Sequence, residues 1–214
     1  MATTLHTLMD IFGSNFNEED SQKNNVAGIT LEKIIVPMIQ RDYAQGRVSA
    51  DVEKVRNRFL DALKQAVADS PITLDLIYGD IDADGTMTPL DGQQRLTTLF
   101  LLHWYAAKKE GIAEKDYDFL NNFSYATRYS ARDFCARLIK FNPVFEEKLS
   151  EEITDQSWFP FDWLNDPTIH SMLVMLDSID EKFADIDNIW ESLKNRAITF
   201  YFLPIEDMGL TDDL

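Results

Sequence analysis

The stretch ITLDLIYGDIDADGTMTPLDGQQRLTTLFLLHWYAAK, residues 72–108, decides the fold. Residues 72–78 alternate in character and are rich in β-branched and aromatic side chains, as a strand requires. Asp82-Ala83-Asp84-Gly85 is a turn signal, so 86–90 reads as the returning strand of a hairpin. Asp91-Gly92 makes a tight turn, and 93–108 reads as a helix that is apolar almost all round, hence central and buried. A hairpin feeding a buried helix predicts an α+β protein: a small mixed β-sheet with packed helices, followed by a mainly helical extension.

Outward from that stretch, residues 33–39 (KIIVPMI) read as a strand, with Pro37 marking an edge or a bend. Residues 51–69 read as an amphipathic helix with Val52, Val55, Phe59, Leu63 and Val67 on its apolar face. Residues 119–129 suggest a further strand, then a helix through Phe134 and Leu138. Residues 143–149, 167–183 and 189–193 read as helices, and 197–205 (AITFYFLPI) as a strong strand. The first 30 residues are polar and predict loose packing. The expected division is an α+β domain over 1–110 and a helical extension over 111–214. The chain stops at TDDL soon after its last strand, which suggests continuity with a C-terminal part.

The chain has 214 residues, a formal charge of −17 and 45% hydrophobic residues. That composition builds a substantial core and excludes a disordered chain. One cysteine, Cys135, excludes an intrachain disulfide and a CxxC metal site, and fits a reducing cytoplasm. The longest apolar run, near 96–107, is interrupted by Thr97, Thr98 and His103 and falls short of the roughly 20 residues a membrane span needs. No secretory signal is visible. The acidic surface repels a nucleic-acid backbone at long range. Acidic residues crowd the C-terminal third, whereas basic clusters lie at 41–58 and 128–140.

Two segments carry chemistry. In Asp91-Gly92-Gln93-Gln94-Arg95-x-Thr97-Thr98 a strand ends and a helix begins, and helix N-termini attract anions. Asp91 could cap that helix or face a metal ion, and Arg95 could grip a phosphate through two N–H groups. The glutamines add amide groups and the threonines add hydroxyls. The plainer alternative is a capped core helix with a buried Arg–Asp pair. In Val36-Pro37-Met38-Ile39-Gln40-Arg41-Asp42-Tyr43 a strand exits into a polar loop, a common functional position.

Together, Ile35-Val36-Pro37-x-x-Gln40-Arg41-x-Tyr43 and the Asp91–Thr98 motif resemble the signature of the GmrSD-type N-terminal domain. That domain belongs to modification-dependent restriction enzymes and phage-defence proteins and is related to the ParB/sulfiredoxin fold. Thr127-Arg128-x-Ser130-Ala131-Arg132-Asp133-Phe134-Cys135 and Trp163-x-x-Asp166-Pro167-Thr168-Ile169 extend the resemblance over most of the chain. The family usually has an aromatic where Met38 stands, and often a Trp where Gln45 stands.

The resemblance implies a regulatory domain that binds and hydrolyses a nucleoside triphosphate with Mg2+ and gates a nuclease. The implied nucleotide-binding residues are Gln40, Arg41, Tyr43, Gly92, Gln93, Gln94, Arg95, Thr97 and Thr98. Arg41 and Arg95 would neutralise developing phosphoryl charge, and Asp91 would orient magnesium or the attacking water. DNA is expected to be met through a C-terminal nuclease part, which is absent here: His6, His103 and His170 form no HNH-like cluster. Homo-oligomerisation is an open option. The alternatives are a non-catalytic interaction module and a ParB-like domain that binds or cuts DNA.

Other features favour structural readings. Asp80-x-Asp82-x-Asp84-Gly85 with Asp91 copies EF-hand calcium spacing, but its strand-like flank favours a hairpin turn. His103 on the apolar helix reads as a core residue. Trp158, Phe159, Phe161 and Trp163 suggest core packing or an interdomain contact. Arg128, Arg132, Arg137 and Lys140 offer either DNA phosphate contacts or a salt-bridge network beside the pocket. No P-loop, GxGxxG, HExxH or GxSxG motif is present.

Overall fold

The computed structural model describes residues 4–13, 31–37, 43–126 and 129–205. A mixed six-stranded sheet forms from β1 (Thr4–His6), β2 (Lys33–Val36), β3 (Ile72–Ile81), β4 (Thr86–Asp91), β5 (Phe123–Tyr125) and β6 (Ile198–Ile205), in the order β1-β6-β3-β4-β2-β5. The β3–β4 hairpin is antiparallel, as its turn chemistry predicts. Asp82 holds that turn by accepting the N–H groups of Asp84 and Thr86. The last strand pairs in parallel with β3 and antiparallel with β1, so it completes the sheet begun by the first half of the chain.

The helices are α1 (Leu8–Ile11), α2 (Ala50–Ala68), α3 (Gln93–Lys109), α4 (Glu114–Tyr117), α5 (Tyr129–Lys140), α6 (Leu149–Thr154), α7 (Pro167–Phe183) and α8 (Ile189–Lys194). Every residue of α3 from Leu96 to Ala107 is buried, which fits its all-round apolar sequence. Phe100 stacks on Phe123 of β5 with ring centres 4.7 Å apart, and Trp104 Nε1 donates to the Leu138 carbonyl of α5 at 2.7 Å. At the far end of α3, Lys109 Nζ reaches the carbonyls of Phe183, Ala184 and Ile186 at the end of α7. Glu110 accepts the N–H groups of Ile189 and Trp190 at the start of α8. Each charge meets the helix end whose dipole it complements. α7 begins where Asp166 caps it and Pro167 occupies its first turn.

Four expectations are corrected. Residues 143–148 are irregular, because the Glu152 carboxylate accepts the N–H groups of Val144, Glu146 and Glu147 in place of a helical ladder. Within 119–129, the range of the expected strand, the described residues form strand only at β5, which a 3-10 helix, Asp118–Asn122, precedes. Leu8, Met9, Ile11 and Phe12 are buried, so this part of the N-terminal segment is core. On α2 the buried stripe runs through Arg56, Leu60, Leu63 and Val67, and Val55 stands 58% exposed.

Other readings hold. Trp158, Phe159 and Trp163 pack edge-on with one another and with Phe134 and Phe141, while Phe161 is exposed. His103 is a core residue whose Nδ1 lies 2.7 Å from the Leu99 carbonyl oxygen. Among the described residues, no helix is long and apolar enough to cross a membrane.

Candidate functional site

A cleft of about 660 Å³ opens at the start of α3. Asp91, Gly92, Gln93, Gln94 and Arg95 line it from the β4–α3 junction, Thr73, Leu74 and Asp75 from β3, Val55 and Phe59 from α2, and Gln45 from the loop before α2. Five of the residues singled out by sequence therefore share one cavity. Tyr43, Thr97 and Thr98 lie buried behind it. Gln40 and Arg41 fall outside the described residues.

Gly92, not Asp91, is the N-cap of α3, and no side chain caps that helix. Its φ of +88° lies in the left-handed region, and a Cβ there would stand 2.7 Å from Ile77 Cγ1. Only glycine lets the strand turn into the helix so tightly. The first N–H groups of a helix have no partner within it, and in α3 the intrahelical ladder begins with Leu96 N–H to the Gly92 carbonyl. The cleft thus holds the positive end of a 17-residue helix.

Two sheet irregularities shape the same wall. Opposite β6 the register of β3 slips between Leu74 and Ile77, and in the hairpin it slips at Tyr78/Gly79, leaving Leu90 extra on β4. Such bulges re-aim side chains. Here Leu74, Asp75, Leu90 and Asp91, all at or beside the slips, line the cleft. Arg95 NH2 donates to Asp91 Oδ2 at 2.6 Å, and Arg95 NH1 stands 3.7 Å from Asp75 Oδ2. The guanidinium side chain is 18% exposed, whereas Asp91 is 53% and Asp75 99% exposed. The Arg–Asp pair that the sequence suggested is present, but it lies at the mouth of the cleft rather than in the core.

The neutral polar groups of the motif are engaged within the fold. Gln93 Nε2 donates to the Pro89 carbonyl. Gln94 Oε1 accepts the N–H groups of Ala44 and Gln45. Thr97 Oγ1 lies 2.8 Å from the Tyr125 hydroxyl, and Thr98 Oγ1 lies 2.7 Å from the Tyr43 hydroxyl and 2.6 Å from Gln45 Oε1. Burial raises both tyrosine pKa values above the usual phenol range. These bonds fasten β5 and the 43–45 loop to α3. The loop is also clamped from α2, where buried Arg56 donates to the carbonyls of Gln45 and Arg47 at 3.3 Å. It approaches α7 so closely that a Cβ on Gly46 would stand 1.7 Å from the Ser171 carbonyl oxygen.

Sequence reading missed Asp75, Arg56 and the cleft face of α2. A charged residue in register with Leu60 and Leu63 was the available signal for Arg56. Arg132 pairs with Asp133 at 3.6 Å and stacks over Tyr129, and Arg137 lies over Trp163; none of these lines the cleft. Among the described residues no group of three or more His, Cys, Asp or Glu is placed to hold a metal ion, and the acidic residues 82–84 form the β3–β4 hairpin turn.

An α+β domain with a helix-start cleft carrying arginine and carboxylates is thus the class that fold and site define. The chain belongs to the GmrSD restriction endonuclease N-terminal domain family, whose sequence profile matches residues 16–208, and so to a restriction and phage-defence family. No curated protein and no solved structure shows significant similarity to it.

Proposed function

We propose that this chain binds a nucleoside triphosphate as its magnesium complex at the start of α3, hydrolyses it, and thereby gates a nuclease that acts on DNA. The observation that carries this reading is Arg95, held between two exposed carboxylates at the N-terminal, positive end of α3. Exposed ion pairs contribute only about 0–1 kcal/mol, so a phosphate can take over the guanidinium at small cost. The phosphate gains charge-assisted bonds from Arg95 and from the helix N–H groups. Two carboxylates outweigh one guanidinium here, which disfavours a bare polyphosphate. Oxygen donors suit magnesium, which commonly takes one or two carboxylates and completes its shell with phosphates and water. Asp91 and Asp75 are the residues that would hold it, and bound magnesium would supply charge neutralisation to the phosphates. Arg95, with Arg41 from the family motif, would stabilise the charge that develops in phosphoryl transfer.

The test is thermal unfolding with each of the four triphosphates and magnesium, together with phosphate release. A ligand that binds only the native state raises the midpoint by mass action. The expected result is a rise of several degrees in wild type that is lost in Arg95→Ala. No rise with any triphosphate at millimolar concentration refutes the reading. It would favour a non-catalytic interaction module, a view supported by the internal engagement of Gln93, Gln94, Thr97 and Thr98.

A further inference from the structure

The wall of the cleft formed by α2 is apolar, and packing within the fold leaves part of it uncovered. Val55 belongs to the helical stripe that sequence assigns to the core, yet it stands 58% exposed. Phe59, one turn on, packs partly against the core and also lines the cleft. Leu74 and Leu90 extend this apolar surface on the sheet side. The core stripe of α2 runs separately through Leu60 and Leu63. A cavity with charge at one end and an aromatic with a β-branched residue on one wall fits a ligand that is itself divided into a polyanion and a flat apolar ring.

We propose that Val55 and Phe59 form the platform on which the nucleobase lies, so that the site takes a nucleotide in preference to an inorganic polyphosphate. This rests on the phosphate placement proposed above. Aromatic faces accept any base, since every base has a π-face, and such a contact is worth roughly 1–3 kcal/mol per base, or about 5- to 150-fold in affinity.

The experiment compares magnesium complexes of the four triphosphates with inorganic tripolyphosphate, titrated calorimetrically into wild type, Phe59→Leu, Val55→Ser and Arg95→Ala. Wild type should bind its preferred triphosphate about tenfold or more tightly than tripolyphosphate. Phe59→Leu should lose most of that difference and leave tripolyphosphate affinity unchanged, whereas Arg95→Ala should weaken both ligands. Val55→Ser, at an exposed position, reports the same loss should Phe59→Leu fold poorly. Equal affinity of wild type for triphosphate and tripolyphosphate overturns the platform while leaving the phosphate site standing. Unchanged discrimination in Phe59→Leu and Val55→Ser also overturns it. Absence of binding by either ligand refutes the phosphate site, and the platform with it.

Discussion

Replacing Gly92 by alanine tests whether the turn into α3 depends on glycine. The residue sits at φ +88°, and its Cβ would meet Ile77 Cγ1 at 2.7 Å, Cγ2 at 3.0 Å and Cβ at 3.1 Å. Left-handed backbone costs an L-residue about 1–2 kcal/mol. Ile77 is wholly buried, so it has no room to retreat, and overpacking of this kind costs about 1–3 kcal/mol. Reduced freedom of the unfolded chain returns about 0.4–1 kcal/mol. The net expectation is a loss of about 2–4 kcal/mol, read as a lower midpoint in urea followed by tryptophan fluorescence, with an unchanged slope. The double variant Gly92→Ala/Ile77→Ala separates the causes. Removing both γ-carbons should relieve the steric part, leaving the pair less than additive by about 1–3 kcal/mol, while the backbone strain persists. A Gly92→Ala protein within about 0.5 kcal/mol of wild type would refute the reasoning. Strict additivity in the double variant would refute the contact with Ile77 as its source.

Thr98→Val strands the buried Tyr43 hydroxyl and the Gln45 side-chain amide oxygen Oε1 that meet Thr98, so it should cost about 1–3 kcal/mol. Thr98→Ser should restore most of that, and denaturant midpoints of the two variants decide the point. His103 predicts an acid sensitivity: burial lowers its pKa from 6.5 to about 4. Between those values the unfolded chain binds the extra proton, so this contribution is intact above about pH 6.5. It is lost as pH falls toward 4, by up to about 3 kcal/mol. In denaturant titrations across that range, His103→Met should show a shallower decline than wild type, and parallel curves would contradict the assignment.

Legibility followed the length and purity of the pattern. The β3–β4 hairpin, α3 and α7 are legible because turn chemistry marks the hairpin, a long apolar run marks α3, and the Asp166-Pro167 start marks α7. Residues 143–148 misled because Pro143 and the acidic run look like a helix start, while the decisive partner, Glu152, lies beyond them. Val55 misled for the opposite reason. It keeps helical spacing with Phe59 and Leu63, but that face borders a cleft, and spacing alone does not distinguish a core from a cavity wall. Asp75 was hidden because the register slip that places it toward Arg95 has no local sequence signature. The motif residues themselves were legible as a group, and their division between scaffold and cleft became visible only once their partners were placed.

That division bears on how the segment can work. Between Asp91 and Thr98 the amides and hydroxyls hold β4, β5 and the 43–45 loop to α3, and the charged side chains stand at the cleft mouth. Groups already bonded in a buried network are costly to redirect, because each freed partner pays a desolvation penalty of about 1–3 kcal/mol. Groups in exposed ion pairs exchange partners for less than about 1 kcal/mol. A ligand would therefore engage Arg95, Asp91 and the helix N–H groups without disturbing the scaffold. Substitutions at Gln94 or Thr98 should reach the ligand indirectly, by loosening the loop that Arg56 clamps from the other side. Equal loss of function at Arg95 and at Thr98 would thus arise by different routes: Arg95→Ala should abolish ligand binding in a protein of unchanged stability, and Thr98→Val should lower stability first.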